Sequence, residues 1–503
     1  MISTRRQFVK SSLATGALLG VGDFSFLSRL PRVSAAEAAV PTSVVQFRPE
    51  IEPLVRLLED TSRERLLEEV ATRIRHGLSY REILTALLLA GVRNIKPQPV
   101  GFKFHSVLVV NSAHLASLAS PDSDRWLPIF WALDYFKSAQ AEDVREGDWT
   151  MAAPDDAKIP SSAKAKSAFT KAMDDWDEPA ADAAVVGLAR TAGAQEIFEI
   201  FCRYGARDFR EIGHKAIYVA NSWRTLQAIG WQHAEPVLRS LTLGLLDRTG
   251  DPNPAKADLE ADRPWRHNQL LAGKIRPEWL DGQVSTSATA ELLQALRHAS
   301  PAEASAKGVE LLNRGVAPQS IWDSLFDAAG ELLMRRPGIL SLHAVTSTNA
   351  LHFAFQNSSQ DETRRLLLLQ NASFLPMFRG DANRLKKLHL DELEPSNDKA
   401  STPTIDEIFA EISRDRLKAA GQTFAWLKGN NDPKEFITAA RRLIFLKGNN
   451  SHDYKFSSAA LEDYYHVSPE WRERYLAASV FNLRGAGDAD NQLVKRTRAA
   501  LAG

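Results

Sequence analysis

Hydrophobic residues recur at three- and four-residue spacing through most of the chain. One such run lies between Ser62 and Gly77, and a second begins at Ser79 and ends at Gly91. The same period continues over 125–136, 194–204 and 235–246. Alternation with a period of two, which is typical of strands, is scarce. The pattern therefore predicts an all-α protein.

The chain also matches itself when residue numbers are shifted by 238. Apolar positions and glycines align at this offset, and so do three pairs of histidines: His105 with His343, His114 with His352 and His214 with His452. Random placement of histidines would give about 0.12 such matches. The repeat predicts a tandem duplication, with helical halves over 45–250 and 283–490 in a pseudo-twofold arrangement. An Asp- and Pro-rich linker is expected over 251–282.

The first residues resemble a twin-arginine export signal. Arg5 and Arg6 are followed by Phe8, Val9 and Lys10, and then by an apolar stretch over 11–26 that is too short and polar for a permanent membrane span. Small residues precede position 36 and suit cleavage there. The resemblance implies a signal peptide over 1–36 and a folded protein exported to the periplasm, a route that often carries proteins with a bound cofactor.

Composition excludes several classes of protein. Among 503 residues, Lys+Arg and Asp+Glu both number 62, so the basic excess of a nucleic-acid binder is missing. The single cysteine, Cys202, excludes an intramolecular disulfide and an iron–sulfur cluster, and its apolar surroundings predict a small core residue. No later apolar run reaches about 18 residues, so no membrane span is expected in the mature chain.

The matched histidines are the best candidates for metal ligands, because imidazole binds iron, copper or zinc where cysteine is absent. They are His105, His114, His214, His343, His352 and His452. Glu235 aligns with Glu473, which makes this pair the candidate catalytic carboxylates. Asn111 and Asn349 precede a matched histidine by three residues, so their amides are candidates for orienting an imidazole or binding a cofactor.

Helix geometry limits how these ligands combine. His105 and His114 are nine residues apart, which places them on opposite faces of one regular helix. Either the helix begins after His105, or it is interrupted, or the two histidines serve different sites. One such site could lie between the two halves.

The succession of a histidine, an asparagine and a second histidine resembles two helical families. The segments 75–120, 205–245 and 313–356 resemble uncharacterised modules attached to Rieske-type ferredoxins and also the questin-oxidase-like family. Either resemblance implies redox chemistry on an organic substrate. The Cys–His ligands of a Rieske domain are missing, which implies that a separate protein donates electrons.

Three hypotheses follow from the sequence. The first is an exported metal-dependent oxidoreductase acting on a small organic substrate, with histidine-bound iron, or else copper or zinc, and with Glu235 or Glu473 completing the metal shell. The second is a non-enzymatic binding or scaffold protein whose histidines only pack. The third is a b-type haem protein with two histidine ligands.

Overall fold

The hydrophobic period corresponds to α-helices throughout the computed structural model. The structure describes residues 45–247, 253, 254, 256–396, 403–429 and 431–502, and these form twenty-three α-helices and no β-sheet. The all-α prediction is therefore confirmed. The predicted export signal over 1–36 lies outside the described residues.

The helices fall into two consecutive sets. The first set is α1 (Glu52–Asp60), α2 (Arg63–Arg75), α3 (Tyr80–Asn94), α4 (His105–Leu108), α5 (Val110–Leu118), α6 (Leu127–Glu146), α7 (Ser162–Asp175), α8 (Glu178–Thr191), α9 (Ala194–Gly205), α10 (His214–Ile229) and α11 (Ala234–Leu245). The second set is α12 (Arg263–Ala272), α13 (Thr286–Leu296), α14 (Pro301–Asn313), α15 (Pro318–Arg335), α16 (Ile339–Asn357), α17 (Asp361–Arg379), α18 (Ile405–Ile412), α19 (Arg416–Lys428), α20 (Pro433–Lys447), α21 (Ser451–Asp463), α22 (Pro469–Ser479) and α23 (Gln492–Ala502).

Local sequence explains where several helices begin and end. The Ser79 hydroxyl accepts a hydrogen bond from the Glu82 N–H, and the Glu82 carboxylate accepts one from the Ser79 N–H, so a capping box starts α3. Gly77 follows α2 with a φ of +99°, the left-handed conformation that favours glycine at a helix end. The predicted helix end at Gly91 is wrong. Gly91 lies inside α3, where a Cβ would approach the Val107 side chain to 2.9 Å.

Helix bounds recur at the same offset as the histidines. α2 and α14 begin at Arg63 and Pro301 and end at Arg75 and Asn313, so both ends follow the offset. The starts of α3 and α15, and those of α8 and α19, follow it as well. This recurrence is what a duplication predicts, and the duplication itself stays a prediction.

The expected linker over 251–282 is partly helical among its described residues. It contains α12, which packs against α14 and α17. Arg365 of α17 donates hydrogen bonds to the carbonyl oxygens of Ala272 and Ile275 and so fixes the end of α12. From Val45 to Gly503 the chain forms one compact unit, and the division into two halves stays a prediction.

Four helices form a bundle at the junction of the two predicted halves. α10 packs against α5 and α16, and α21 packs against the same two helices. α5 and α10 belong to the first half, and α16 and α21 belong to the second. Side chains on these four helices therefore meet across the junction.

Cys202 is buried within α9, as expected for a small core residue. Burial raises the pKa of its thiol well above the ordinary value, which keeps the thiol protonated and unreactive. None of the described helices combines the length and the apolar character that crossing a lipid bilayer requires.

Candidate metal centre

Four of the six predicted histidines lie close to the starts of helices, three of them in the four-helix bundle and one in the neighbouring α4. His105 begins α4, His214 begins α10, His343 is the fifth residue of α16, and His452 is the second residue of α21. The amino-terminal end of a long helix carries a partial positive charge, which disfavours a protonated imidazole. The helix ends of α10, α16 and α21 therefore favour neutral rings.

Three of these histidines direct the same ring atom towards one point. The Nε2 atom of His214 lies 3.0 Å from the Nε2 of His105 and 2.8 Å from the Nε2 of His343. Possible ligand atoms of the three residues all lie within 4.8 Å of one another. All three side chains are buried, and His343 is fully shielded from solvent. The structure thus brings together one ligand pair and one further ligand that the sequence predicted.

Backbone carbonyl groups fix the tautomers of two of the rings. His105 Nδ1 donates to the carbonyl oxygen of Phe102 at 2.8 Å, and His343 Nδ1 donates to that of Ile339 at 2.7 Å. The proton on Nδ1 leaves Nε2 as a lone pair, and this lone pair faces His214. A carbonyl oxygen behind the imidazole is the usual partner of a metal-binding histidine.

The distances suit a single ion. Ligand nitrogens at about 2.0–2.1 Å from a metal lie about 2.9 Å apart at a right angle and about 3.4 Å apart in a tetrahedron. The two observed Nε2–Nε2 distances match neighbouring positions around one ion. Three protein ligands leave further coordination positions for water or substrate, as in catalytic metal sites.

Electrostatics keeps the three rings neutral. Burial lowers the pKa of His105, His214 and His343 well below the ordinary value, and the neighbouring Lys455 lowers each of them further. Neutral imidazole is the form that binds a metal ion. The rings therefore need not release a proton at neutral pH before they bind a metal.

His452 extends the cluster towards solvent. Its ring lies 4.7 Å from the His105 ring and 5.3 Å from the His343 ring, measured between centroids, and it is partly exposed. Burial lowers its pKa to about 4. His452 is outside the group of three whose ligand atoms converge, so its predicted role as a ligand stays a prediction.

Lys455 is a buried residue of the site that sequence reasoning missed. It lies one helical turn after His452 on α21, and its side chain is almost completely shielded from solvent. Its Nζ has no hydrogen-bond partner among the described residues, and burial lowers its pKa to about 7. The repeat could not reveal it, because Ile217 occupies the matching position of the first half.

The backbone is strained beside two of the three converging histidines. Phe102, three residues before His105, has a φ of +47°, and Ile212, two residues before His214, has a φ of +43°. A left-handed conformation is costly for a β-branched residue and concentrates at functional sites. Between Ile212 and His214, Gly213 has a φ of +82°, and a Cβ there would collide with the Ser347 hydroxyl.

The third predicted pair of ligands has different surroundings. His114 Nδ1 shares a 3.0 Å hydrogen bond with the Tyr80 hydroxyl. His352 is packed among the rings of Trp322, Phe326 and His466, and burial lowers its pKa to about 3. Neither residue belongs to the converging group, and a metal-binding role for them stays a prediction.

The two asparagines bind groups other than the histidines that follow them. Asn349 donates to the carboxylates of Glu462 and Asp463, at 2.9 and 2.7 Å. Asn111 lies within 3.4 Å of the Asn221 amide. These hydrogen bonds of the two amides therefore connect helices of the bundle, and none of them orients an imidazole.

The predicted catalytic carboxylates lie in ion pairs near the surface. Glu235 pairs with Arg190 at 2.8 Å, and Glu473 pairs with Lys428 at 3.2 Å. Arg190 and Lys428 are themselves related by the offset of the repeat, so the repeat preserves the whole ion pair. Within the described residues, the converging group contains no carboxylate that could complete its shell.

Comparison of the chain with protein families, curated proteins and solved structures finds no match. The histidine centre is therefore the feature of the molecule from which a function can be inferred.

Proposed function

We propose that this chain is a metalloprotein that holds one transition-metal ion between His105, His214 and His343, and that the ion serves redox chemistry on a small organic substrate. The observation that carries the proposal is the convergence of three Nε2 atoms, with distances of 3.0 and 2.8 Å at His214. Imidazole nitrogens in this arrangement repel one another unless an ion or a proton lies between them.

The donor set favours copper or zinc over the iron expected from the sequence. Non-haem iron sites of the common type use two histidines and one carboxylate, and the three converging side chains are all imidazoles. Neutral imidazole ligands suit copper, zinc and iron, and copper has the highest intrinsic affinity of these. Among these three metals, copper and iron supply redox chemistry, and zinc supplies a Lewis acid.

Each residue has a defined task in this proposal. His105 and His343 bind through Nε2, while their Nδ1–H groups, held by the carbonyls of Phe102 and Ile339, prevent the rings from turning. His214 binds from the start of α10. His452 is the one partly exposed ring of the four, so we expect a substrate and water to approach the centre from its side.

The two alternatives make different predictions. A scaffold protein whose histidines only pack would stay folded and metal-free. A b-type haem would need its macrocycle to lie between two axial histidines, and would be recognised by a Soret band; the 3.0 and 2.8 Å distances at His214 support a bare ion between these rings instead.

The test is the metal content of the full chain after removal of metals and reconstitution with copper, zinc or iron in turn. We expect about one copper or zinc ion per chain by elemental analysis. Joint replacement of His105, His214 and His343 by alanine should abolish binding and preserve the helical circular dichroism spectrum. His352→Leu, which alters a buried histidine outside the group, is the matched control and should keep the ion.

A metal-free wild-type chain, or a triple variant that still binds one ion, would refute the site. For the redox role, bound copper should show nitrogen couplings in its electron paramagnetic resonance spectrum. It should also pass through reduction and reoxidation without leaving the protein. Loss of the ion on reduction would limit the centre to non-redox chemistry.

We also propose export to the periplasm on the basis of Arg5 and Arg6. Replacing both by lysine should retain the chain in the cytoplasm, and fractionation followed by immunodetection checks this outcome. Undiminished export of that variant would contradict the proposal.

A further inference from the structure

The charges around the histidine centre are unbalanced. The charged groups that most affect the pKa values of His105, His214 and His343 are Lys455 and other histidines, and each of them lowers these values. No carboxylate belongs to the converging group in the described part of the chain. The protein therefore supplies neutral ligands and one buried lysine, but no anion, to this region.

A divalent ion would increase this imbalance. Burying a charge without a counter-charge is costly, because the low-dielectric interior replaces the hydration shell poorly. Two positive charges on the metal would also oppose the protonation of Lys455, whose pKa burial already lowers to about 7. A negative ligand that binds both the ion and the ammonium removes the imbalance.

Lys455 is placed to bind such a ligand. It lies three residues after His452, and residues at this spacing share one face of a helix. The His452 ring in turn contacts the rings of His105 and His343. The buried Nζ of Lys455 has no hydrogen-bond acceptor among the residues that the structure describes, so its protons are available.

The two sides of the centre also differ in polarity. Ile217 matches Lys455 under the offset of the repeat, so the ammonium is present on the α21 side and is replaced by an apolar side chain on the α10 side. We infer that the centre takes a small anion with an oxygen or nitrogen donor, which bridges the metal ion and the Nζ of Lys455. This inference rests on the proposed metal site. It gives the substrate class as a small carboxylate, and inorganic anions of similar size should bind in the same place.

The experiment is a titration of the copper-loaded full chain with azide and, separately, with formate, followed by the absorption band of the copper ion. A third titration with imidazole, a neutral ligand, serves as the control. Lys455→Met should weaken azide and formate binding by about 10- to 100-fold, the value of a hydrogen bond to a charged group. The affinity for imidazole and the copper content should not change.

Two further variants keep the test specific. Lys455→Arg retains the charge and should recover most of the azide affinity. Ile217→Met introduces the same side chain at the matching position of α10 and should leave the azide affinity unchanged.

The outcomes separate the two proposals. If wild-type protein binds no copper, the metal site fails and the anion inference fails with it. If copper binds and Lys455→Met binds azide within about twofold of wild type, the anion inference alone is overturned. Loss of copper from both Lys455→Met and Lys455→Arg would make Lys455 a metal ligand and would also overturn it.

Discussion

The short distances at His214 predict different effects of two similar substitutions on the metal-free protein. His105 and His343 use their Nδ1 protons on carbonyl oxygens, so the Nε2 atoms of both are acceptors. The single proton on His214 Nε2 can be donated to one of them only. The other acceptor is left facing a nitrogen, and a buried acceptor without a donor costs about 1–3 kcal/mol.

His343→Leu removes one of the two competing acceptors. His214 can then donate to His105 without conflict, and this gain offsets the lost hydrogen bond from His343 Nδ1 to the Ile339 carbonyl. We expect the free energy of unfolding of this variant to differ from wild type by less than about 1 kcal/mol.

His214→Leu has the opposite consequence, because it removes the donor and leaves both acceptors without one. We expect this variant to be less stable than His343→Leu by about 1–3 kcal/mol in the absence of metal. Both substitutions introduce the same side chain at a buried position, so the difference between them isolates the hydrogen bonding.

Zinc should raise the free energy of unfolding of the wild-type protein more than that of either variant. At about 100 times its dissociation constant, a ligand that binds only the native state adds about 2.7 kcal/mol to the free energy of unfolding. Each variant retains two of the three ligands and should gain much less.

The measurement is urea denaturation of the full chain, followed by tryptophan fluorescence, with a chelator and then with zinc. A His343→Leu protein less stable than His214→Leu in chelator would refute the hydrogen-bond reasoning. An equal zinc-induced rise in the denaturation midpoint of all three proteins would refute the assignment of ligands.

Three other predictions test the remaining residues. Burial lowers the pKa of His352 from 6.5 to about 3. Below pH 6.5 the unfolded chain therefore takes up a proton at this residue that the folded chain excludes, so the free energy of unfolding falls with pH. The contribution of His352 to this loss reaches about 3 kcal/mol near pH 4.5. His352→Leu should therefore lose about 3 kcal/mol less stability than wild type between about pH 7 and about pH 4.5, as measured by urea denaturation. An equal acid loss in both proteins would contradict the lowered pKa of His352. Glu235→Gln and Glu473→Gln should keep the wild-type metal content and change the free energy of unfolding by less than about 1 kcal/mol, whereas a lower metal content would restore them as ligands. Gly213→Ala should weaken metal affinity by about tenfold or more with an unchanged circular dichroism spectrum, because the added Cβ displaces the start of α10 from Ser347; unchanged affinity would show that this close approach does not position the site.

The fold could be predicted largely from the sequence because its signals are local. The apolar period between Ser62 and Gly77 became α2, and Ser79 began α3 through a capping box. The end of α3 could not be predicted in this way. Gly91 is a helix terminator in its local sequence, but here it provides space for Val107, which approaches through tertiary packing.

The site was only partly predictable, because a repeat preserves structural contacts as well as chemistry. The offset identified His105 with His343, and these two rings do meet across the bundle. The same offset selected Glu235 and Glu473, whose match reflects an ion pair kept in both halves. A matched position therefore indicates that two residues share a role, but not whether that role is structural or chemical. Only the packing of the helices distinguishes these possibilities.

The centre depends on both predicted halves and on the difference between them. The first half supplies His105 and His214, and the second supplies His343, so neither half holds three converging ligands. In a fully symmetric arrangement His452 would match His214, but His214 lies between the two other rings and His452 is partly exposed. Lys455 lies three residues after His452, and the matching position three residues after His214 is the apolar Ile217. In the proposed site, one half of the bundle thus completes the set of ligands, and the matching part of the other half supplies the partly exposed His452 and the buried Lys455.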